Sequence, residues 1–162
     1  MIRYVQGNLL ESHAEAVVNT VNEVGVMGKG LALQVRDAFP ESSGEYIRAC
    51  KRGDVRVGRM FVTRSSALVG PTWIIHFPTK KHWRDPSQLA WVCDGLDDLV
   101  RVVRELGIRS IAIPPLGCGN GGLDWTDVRR EIERAFAPFV DVEVQAHEPT
   151  GSQTNPPRGV DV

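Results

Sequence analysis

Three short stretches of the sequence carry residue types whose spacing could do chemistry. "GVMGKG" places Gly25, Gly28 and Gly30 around Val26 and Lys29, and "GCGNGG" places Gly117, Gly119, Gly121 and Gly122 around Cys118 and Asn120. Each lies between an apolar segment and a helix-like one. Loops of this kind present successive backbone N–H groups without side-chain obstruction, and a following helix N-terminus adds positive potential, so two of them could flank one diphosphate. The third stretch, "IIHFPTKKHW", ends an apolar run at Phe77, stiffens the exit with Pro78 and follows at once with Lys80 and Lys81. Charge in that place suits a strand end that faces a polar cavity. A lysine amine attacks carbon only when unprotonated, which requires desolvation or a cationic neighbour.

Known phosphate loops test the glycines. The Walker pattern requires Gly where Glu23 stands and a hydroxyl where Gly30 stands, so it fails twice. The dinucleotide fingerprint fails in the same stretch at Leu33. In the second stretch Gly117, Gly119 and Gly122 fit it, with Asp141 about 20 residues on. That keeps a dinucleotide-dependent oxidoreductase as an alternative, against which Pro114 and Pro115 separate strand from glycines and one strand alone remains after the helix.

The elements that must position these loops follow from periodicity. "IRYVQ", "AEAVVNTV", "RMFVTRS", "TWIIHF", "IRSIAI" and "VDVEVQA" read as strands. "LALQVRDAF" reads as a helix that Pro40 ends, and Ser42 with Glu45 has capping-box spacing before a short helix through Cys50. Ser87 can cap a long helix striped by Leu89, Val92, Cys93, Leu96, Leu99, Val100 and Val103, and Val128, Ile132, Ala135 and Phe136 mark a last one. Strands alternating with helices imply an α/β fold with a sheet covered on both faces.

Composition limits the partners. A chain of 162 residues with 42% hydrophobic residues fits one domain. No run approaches the roughly 20 apolar residues that span a bilayer, and "MIRYVQ" has no secretory character, so the cytoplasm is the expected compartment and no membrane partner is expected. Cys50, Cys93 and Cys118 are odd in number and far apart, which argues against a disulfide framework, and no metal-ligand spacing surrounds the four histidines. No metal site is expected. A net charge of -1 argues against a generally basic nucleic-acid surface but permits a local patch. A monomer is expected, with residues 150–162, rich in proline, as a flexible tail.

The motifs, in their order, make the chain resemble the macrodomains, the ADP-ribose-binding family, over residues 1–149. "QGNLLES" is similar to the opening adenine-site motif, "VVNTVN" to the paired-asparagine motif that reaches the distal ribose, and "GVMGKGLA" and "PPLGCGNGGLDW" to the two phosphate loops. "GVMGKGLALQ" together with "HFPTKKHWR" most resembles the branch holding terminal ADP-ribose protein glycohydrolase and the bacterial DNA ADP-ribosyl glycohydrolase antitoxins. The resemblance implies a three-layer α/β/α fold with a mixed central sheet. It also implies hydrolysis with no cofactor, ADP-ribose being ligand and product, and ADP-ribosylated DNA (through thymidine) or glutamate-ADP-ribosylated protein the substrate. A non-catalytic ADP-ribose reader is the alternative.

Carried over residue by residue, the resemblance makes Lys80 the catalytic amine, with Lys81 and Arg84 toward solvent or the leaving group. Asn8, with Leu9 beside it, stands where relatives have an aspartate that accepts from the adenine amine. Asn22 contacts the ribose or else holds its own loop together, and Asn19 is structural. Val26, Gly28, Lys29 and Gly30 form one phosphate loop, and Gly117, Cys118, Gly119, Asn120, Gly121 and Gly122 the other, acting through backbone N–H groups. Cys118 is therefore a small side chain and no nucleophile. His147 stands where relatives stack an aromatic on the adenine, or is a surface histidine. The second-loop acid of protein-directed relatives is absent at Gly121, and Asp124, three residues on, either caps a helix or reaches the substrate.

Overall fold

The computed structural model describes residues 1–150, so the tail expected over 150–162 lies, but for Thr150, outside the described residues. In chain order the elements are β1 (Ile2–Val5), β2 (Ala16–Asn22), α1 (Gly30–Ala38), α2 (Pro40–Lys51), β3 (Phe61–Arg64), β4 (Trp73–Lys80), α3 (Leu89–Leu106), β5 (Ser110–Ile113), α4 (Trp125–Phe136) and β6 (Glu143–His147). The strands form one sheet in the order β1-β6-β5-β2-β4-β3. All neighbours are parallel except β3, which runs antiparallel to β4. This is the mixed sheet and the α/β/α layering expected.

Alternation along the central strands builds two cores. From β2, Ala16 and Val18 turn to one face with Ile75, Phe77, Ile111 and Ile113, beneath the stripes of α3 and α4. Val17 and Val21 turn to the other with Ile74 and Ala112, against Val35, Tyr46 and Ala49 of α1 and α2. Helix α3 lies so close to β4 that a Cβ on Gly95 would come within 2.4 Å of the Phe77 ring, so only glycine permits that approach.

Three boundaries differ from expectation. Pro40 does not simply end α1: Phe39 is the one residue between helices, and Pro40 opens α2 at a position where its missing N–H costs nothing. Ser42 consequently lies within the first turn of α2, and no side chain caps that helix. Strand β4 runs past Phe77 to Lys80, with Pro78 beside a register shift (Val21 pairs with Pro78, Asn22 with Lys80), one of the few places in a sheet that tolerate proline. The N-cap of α3 is Gln88, without a side-chain bond, and Ser87 is instead buried.

On the α1–α2 face, three strands share a buried polar chain. The amide Nδ2 of Asn19 lies 3.3 Å from His76 Nδ1, His76 Nε2 lies 3.2 Å from Thr63 Oγ1, and Thr63 Oγ1 donates to the carbonyl of Ile74 at 3.3 Å. An amide N can only donate, so this network assigns the Nε2–H tautomer to His76. Its ring stacks on Tyr46 at 5.2 Å. Burial pushes His76 down to about 3, so the ring is neutral at ordinary pH.

Because an unfolded histidine titrates near 6.5, protons bind the unfolded chain first. The stability held above pH about 6.5 is therefore lost as pH falls toward about 3. Urea unfolding midpoints should fall as pH drops from 7 to 4, and His76→Gln should flatten that slope while keeping an amide in the network. His147, also pushed down by burial, contributes in the same window, so some slope remains. An unchanged slope in the variant would contradict a buried neutral His76.

Candidate functional site

The chain leaves two adjacent central strands in opposite directions. From β2 it passes through α1 and α2 to β3 at one edge, and from β5 through α4 to β6 toward the other. In an open α/β sheet the crevice beyond the carboxyl ends of such a strand pair is the natural ligand site. Both glycine loops leave from those two ends. β4, on the other flank of β2, delivers Lys80 to the same edge of the sheet.

The first loop is organised by Asn22. Its Oδ1 accepts from the N–H groups of Val24, Gly25 and Val26 at 3.1, 3.0 and 3.3 Å, and its Nδ2 donates to the carbonyl of Val26 at 2.9 Å. Tyr46 Oη donates to the carbonyl of Asn22 at 2.6 Å. Asn22 thus clamps its own loop, and its backbone is anchored from α2. Gly25 takes φ +83° within this clamp, which a side chain would resist. Because the N–H of Val26 is engaged by Asn22, the donors left in this loop begin with Met27, whose side chain is buried, and continue through Gly28, Lys29 and Gly30, all exposed. Lys29 is the extended N-cap of α1 and makes no side-chain cap bond, so the first-turn N–H groups stay directed at the crevice.

The second loop spends some of its donors internally. Cys118 N–H donates to Pro115 at 3.1 Å and Gly122 N–H to Gly119 at 3.0 Å, which leaves Gly119, Asn120 and Gly121 without a hydrogen bond from N–H among the described residues. Burial, with Asp124 nearby, pushes the Cys118 thiol up to about 11, so it stays protonated, in keeping with a small side chain rather than a nucleophile. Asp124 itself is the N-cap of α4, accepting from Thr126 N–H at 2.8 Å, so of its two expected roles it takes the structural one.

Ser87 is the residue that sequence reasoning missed. Its N–H donates to the carbonyl of Gly121 at 2.9 Å, and its Oγ would lie 2.5 Å from a Cβ at position 121. Among the described residues the buried hydroxyl of Ser87 has no partner. Ser87 therefore fills the space that any side chain at 121 would need, which gives a steric reason for the missing second-loop acid. Nothing in the spacing from Ser87 to Gly121 could have revealed this contact.

Lys80 and Lys81 part company. Lys80 Nζ donates to the carbonyl of Asn120 at 3.1 Å and to that of Trp83 at 3.3 Å, reaching across the end of β2 to the second loop. The carbonyl of Lys80 accepts from Glu23 N–H at 3.2 Å, which ties the same residue to the first loop. Lys81 is exposed and turns its ammonium over the Trp91 ring, 5.5 Å from the centroid.

At the far end of the sheet edge, His147 closes β6 opposite Val5 of β1. It is buried, with Nδ1 3.3 Å from the carbonyl of Gly7, so the surface alternative fails. A ring this buried offers little face for stacking. With Nδ1–H donating, Nε2 is a buried acceptor without a partner among the described residues. Asn8 Oδ1 already accepts from Leu10 N–H at 3.0 Å as an N-cap, and the Leu9 side chain is in the core. Asp141 precedes β6, and so lies at the opposite end of the parallel sheet from the glycines that follow β5. It cannot serve a nucleotide held by Gly117, Gly119 and Gly122, and the oxidoreductase reading loses its ribose contact.

A model of the macro domain family matches residues 18–132. The DNA ADP-ribosyl glycohydrolase of Mycobacterium tuberculosis is 56% identical over 151 residues, covering 93% of this chain and 43% of that protein. The chain thus spans less than half the length of the curated relative. Among solved structures, the macrodomain of Mycobacterium tuberculosis DarG superimposes with a TM-score of 0.91 at 55% identity, covering 93% of this chain and 99% of that one. Thermosipho africanus DarTG in complex with ADP-ribose gives 0.87 at 32% identity, covering 94% of this chain and 42% of that one.

Asn22→Ala should loosen the first loop, because the Val24–Val26 amides lose their acceptor and the Val26 carbonyl its donor. Hydrogen exchange at those amides should accelerate about tenfold to a hundredfold, the equivalent of roughly 1–3 kcal/mol of local stability, while β5 and α3 exchange as before. Unchanged protection would show that the loop holds without the clamp.

Proposed function

Because the chain belongs to the macro domain family, we propose that it is a glycohydrolase that releases ADP-ribose from ADP-ribosylated DNA. The substrate class rests on similarity to DNA ADP-ribosyl glycohydrolases across nearly the whole of this chain. The observation that carries a catalytic reading is the placement of Lys80, whose amine joins the second glycine loop to the turn after β4 and, among the described residues, has backbone carbonyls as its partners. A lysine paired with a carboxylate would be held as a structural cation. One held by two carbonyls at the mouth of a crevice can exchange them for a substrate.

In this reading the diphosphate lies between the N–H groups of Met27–Gly30 and those of Gly119–Gly121, with the α1 N-terminus adding favourable potential. The adenine lies toward the β1–β6 end of the crevice, where Asn8 stands. The distal ribose then falls beneath Lys80. The amine forms a bond to C1 of that ribose, the electron pair of the C1–N bond leaves with the thymine, and the base takes up a proton. Water next attacks C1, gives up its proton and restores the amine as ADP-ribose departs. With no acid at position 121, the chemistry rests on the lysine, and in this account the chain uses no resident cofactor or metal.

The binding-only alternative is favoured by one observation: the same two hydrogen bonds make Lys80 a strut for the second loop. Turnover and affinity separate the readings. Lys80→Ala should cut release of ADP-ribose from an ADP-ribosylated thymidine oligonucleotide by at least about a thousandfold while free ADP-ribose still binds, because a nucleophile acts on the barrier more than on ground-state affinity. Lys80→Arg keeps charge and hydrogen bonds but has no attacking amine, and should be as inactive. Wild-type rates in both variants would remove Lys80 from the chemistry, and ADP-ribose binding without release by the wild type would leave a reader module.

Gly119→Val tests the loop assignment independently. Gly119 takes φ +67° with open space around it, so a β-branched residue is strained there and shadows the neighbouring N–H groups. Calorimetry should show ADP-ribose affinity reduced by about tenfold or more, equal to about 1.4 kcal/mol. Unchanged affinity would remove the second loop from the binding site.

A further inference from the structure

We propose that the turn after β4, residues 81–84, is a docking surface for the sugar-phosphate backbone of the single DNA strand that flanks the modified base. This rests on the DNA-directed reading above and adds the surface that selects the substrate class. The turn holds two cations with aromatic rings. Lys81 Nζ lies 5.5 Å from the Trp91 centroid, and the Arg84 guanidinium lies 4.5 Å from that of Trp83. The His82 and Trp83 rings stack at 5.4 Å, and Arg84 N–H donates to His82 Nδ1 at 3.2 Å.

The choice of partner decides what such cations can do. Arg3, Arg36, Arg52, Arg101, Arg129 and Arg134 each pair with a carboxylate. Among the described residues neither Lys81 nor Arg84 forms an ion pair. The same is true there of Arg64 over Trp73 and Arg104 over Phe139, but only in this turn do two such cations stand within four residues, directly after Lys80. A ring face orients a cation without neutralising it and leaves N–H groups for an incoming anion. Asp85 is the one carboxylate within residues 80–85, so this patch is positive on a chain whose net charge is -1.

The patch is also coupled to the chemistry. It begins at the residue after Lys80, and the carbonyl of Trp83 accepts from Lys80 Nζ. A strand whose modified base enters beneath Lys80 has this turn directly beside its path. Nucleotides alternate phosphates with flat bases, which suits cations set beside exposed aromatic rings, and Trp83 is 41% exposed. A glutamate-linked peptide offers no such alternation.

The test compares wild type with the double variant Lys81→Ala/Arg84→Ala on two DNA-linked substrates: ADP-ribosyl thymidine as a nucleoside, and the same unit in the middle of a single strand of about ten nucleotides. The variant should match wild type on the nucleoside and in ADP-ribose affinity. On the oligonucleotide its kcat/KM at low salt should fall about tenfold, with a log–log salt slope shallower by about 1.4, the figure for two phosphate contacts on a single strand. Equal losses on both substrates, no loss on the oligonucleotide, or an equal loss on glutamate-ADP-ribosylated protein would each overturn the proposal. Anisotropy with an unmodified single strand gives a reading independent of turnover. If wild type cleaves neither DNA-linked substrate, the glycohydrolase reading fails, and the docking surface stands or falls on whether the variant binds that strand about tenfold more weakly.

Discussion

The carboxyl end of β2 is the point on which the site depends, because three chemical parts meet there and none is adjacent in sequence. Asn22, the last residue of that strand, folds the first loop around its own side chain. Lys80, its neighbour across the register shift, holds Glu23 through its carbonyl and the second loop through its amine. The second loop leaves β5, the strand paired with β2 on its other side. The register among β4, β2 and β5 therefore sets the separation of amine and phosphate cradles, and a slip of one residue would turn Lys80 to the opposite face.

That register is specified by residues far from the crevice. β2 is buried on both faces, so its apolar alternation cannot shift without driving Asn19 out of its bond with His76. The polar chain from Asn19 through His76 to Thr63 links three strands laterally, although the buried Asn19 Oδ1 finds no partner among the described residues. Gly95 fixes the height of α3 above Phe77, three residues before Lys80. Packing and chemistry thus share the same strand, and strain in one would be felt in the other.

The elements were legible wherever a local pattern decides them. The stripe of α3, the apolar run of β5 and the glycine loops between strand and helix could be read directly, and the order of the loops pointed to the family. Contacts made across the sheet were illegible. Pro40 reads as a terminator, yet also opens α2, because one residue suffices to turn between the helices. Ser87 reads as a helix cap, yet its position under Gly121 follows from where α3 docks. His147 reads equally as a surface residue or a stacking ring, and only the pairing of β6 with β1 buries it. Asn22 left two roles open, and the return of the chain at Val26 brings the donors that make it a clamp.

The proposed role of this crevice is to act on a bond between ADP-ribose and DNA. The most direct measurement is single-turnover incubation of wild-type protein with a thymidine-ADP-ribosylated oligonucleotide, in parallel with a glutamate-ADP-ribosylated protein, following both released ADP-ribose and restored unmodified strand. The account predicts stoichiometric release of ADP-ribose with recovery of intact thymidine DNA, and slower or no release from the protein. Tight ADP-ribose binding with no release from the oligonucleotide would contradict it.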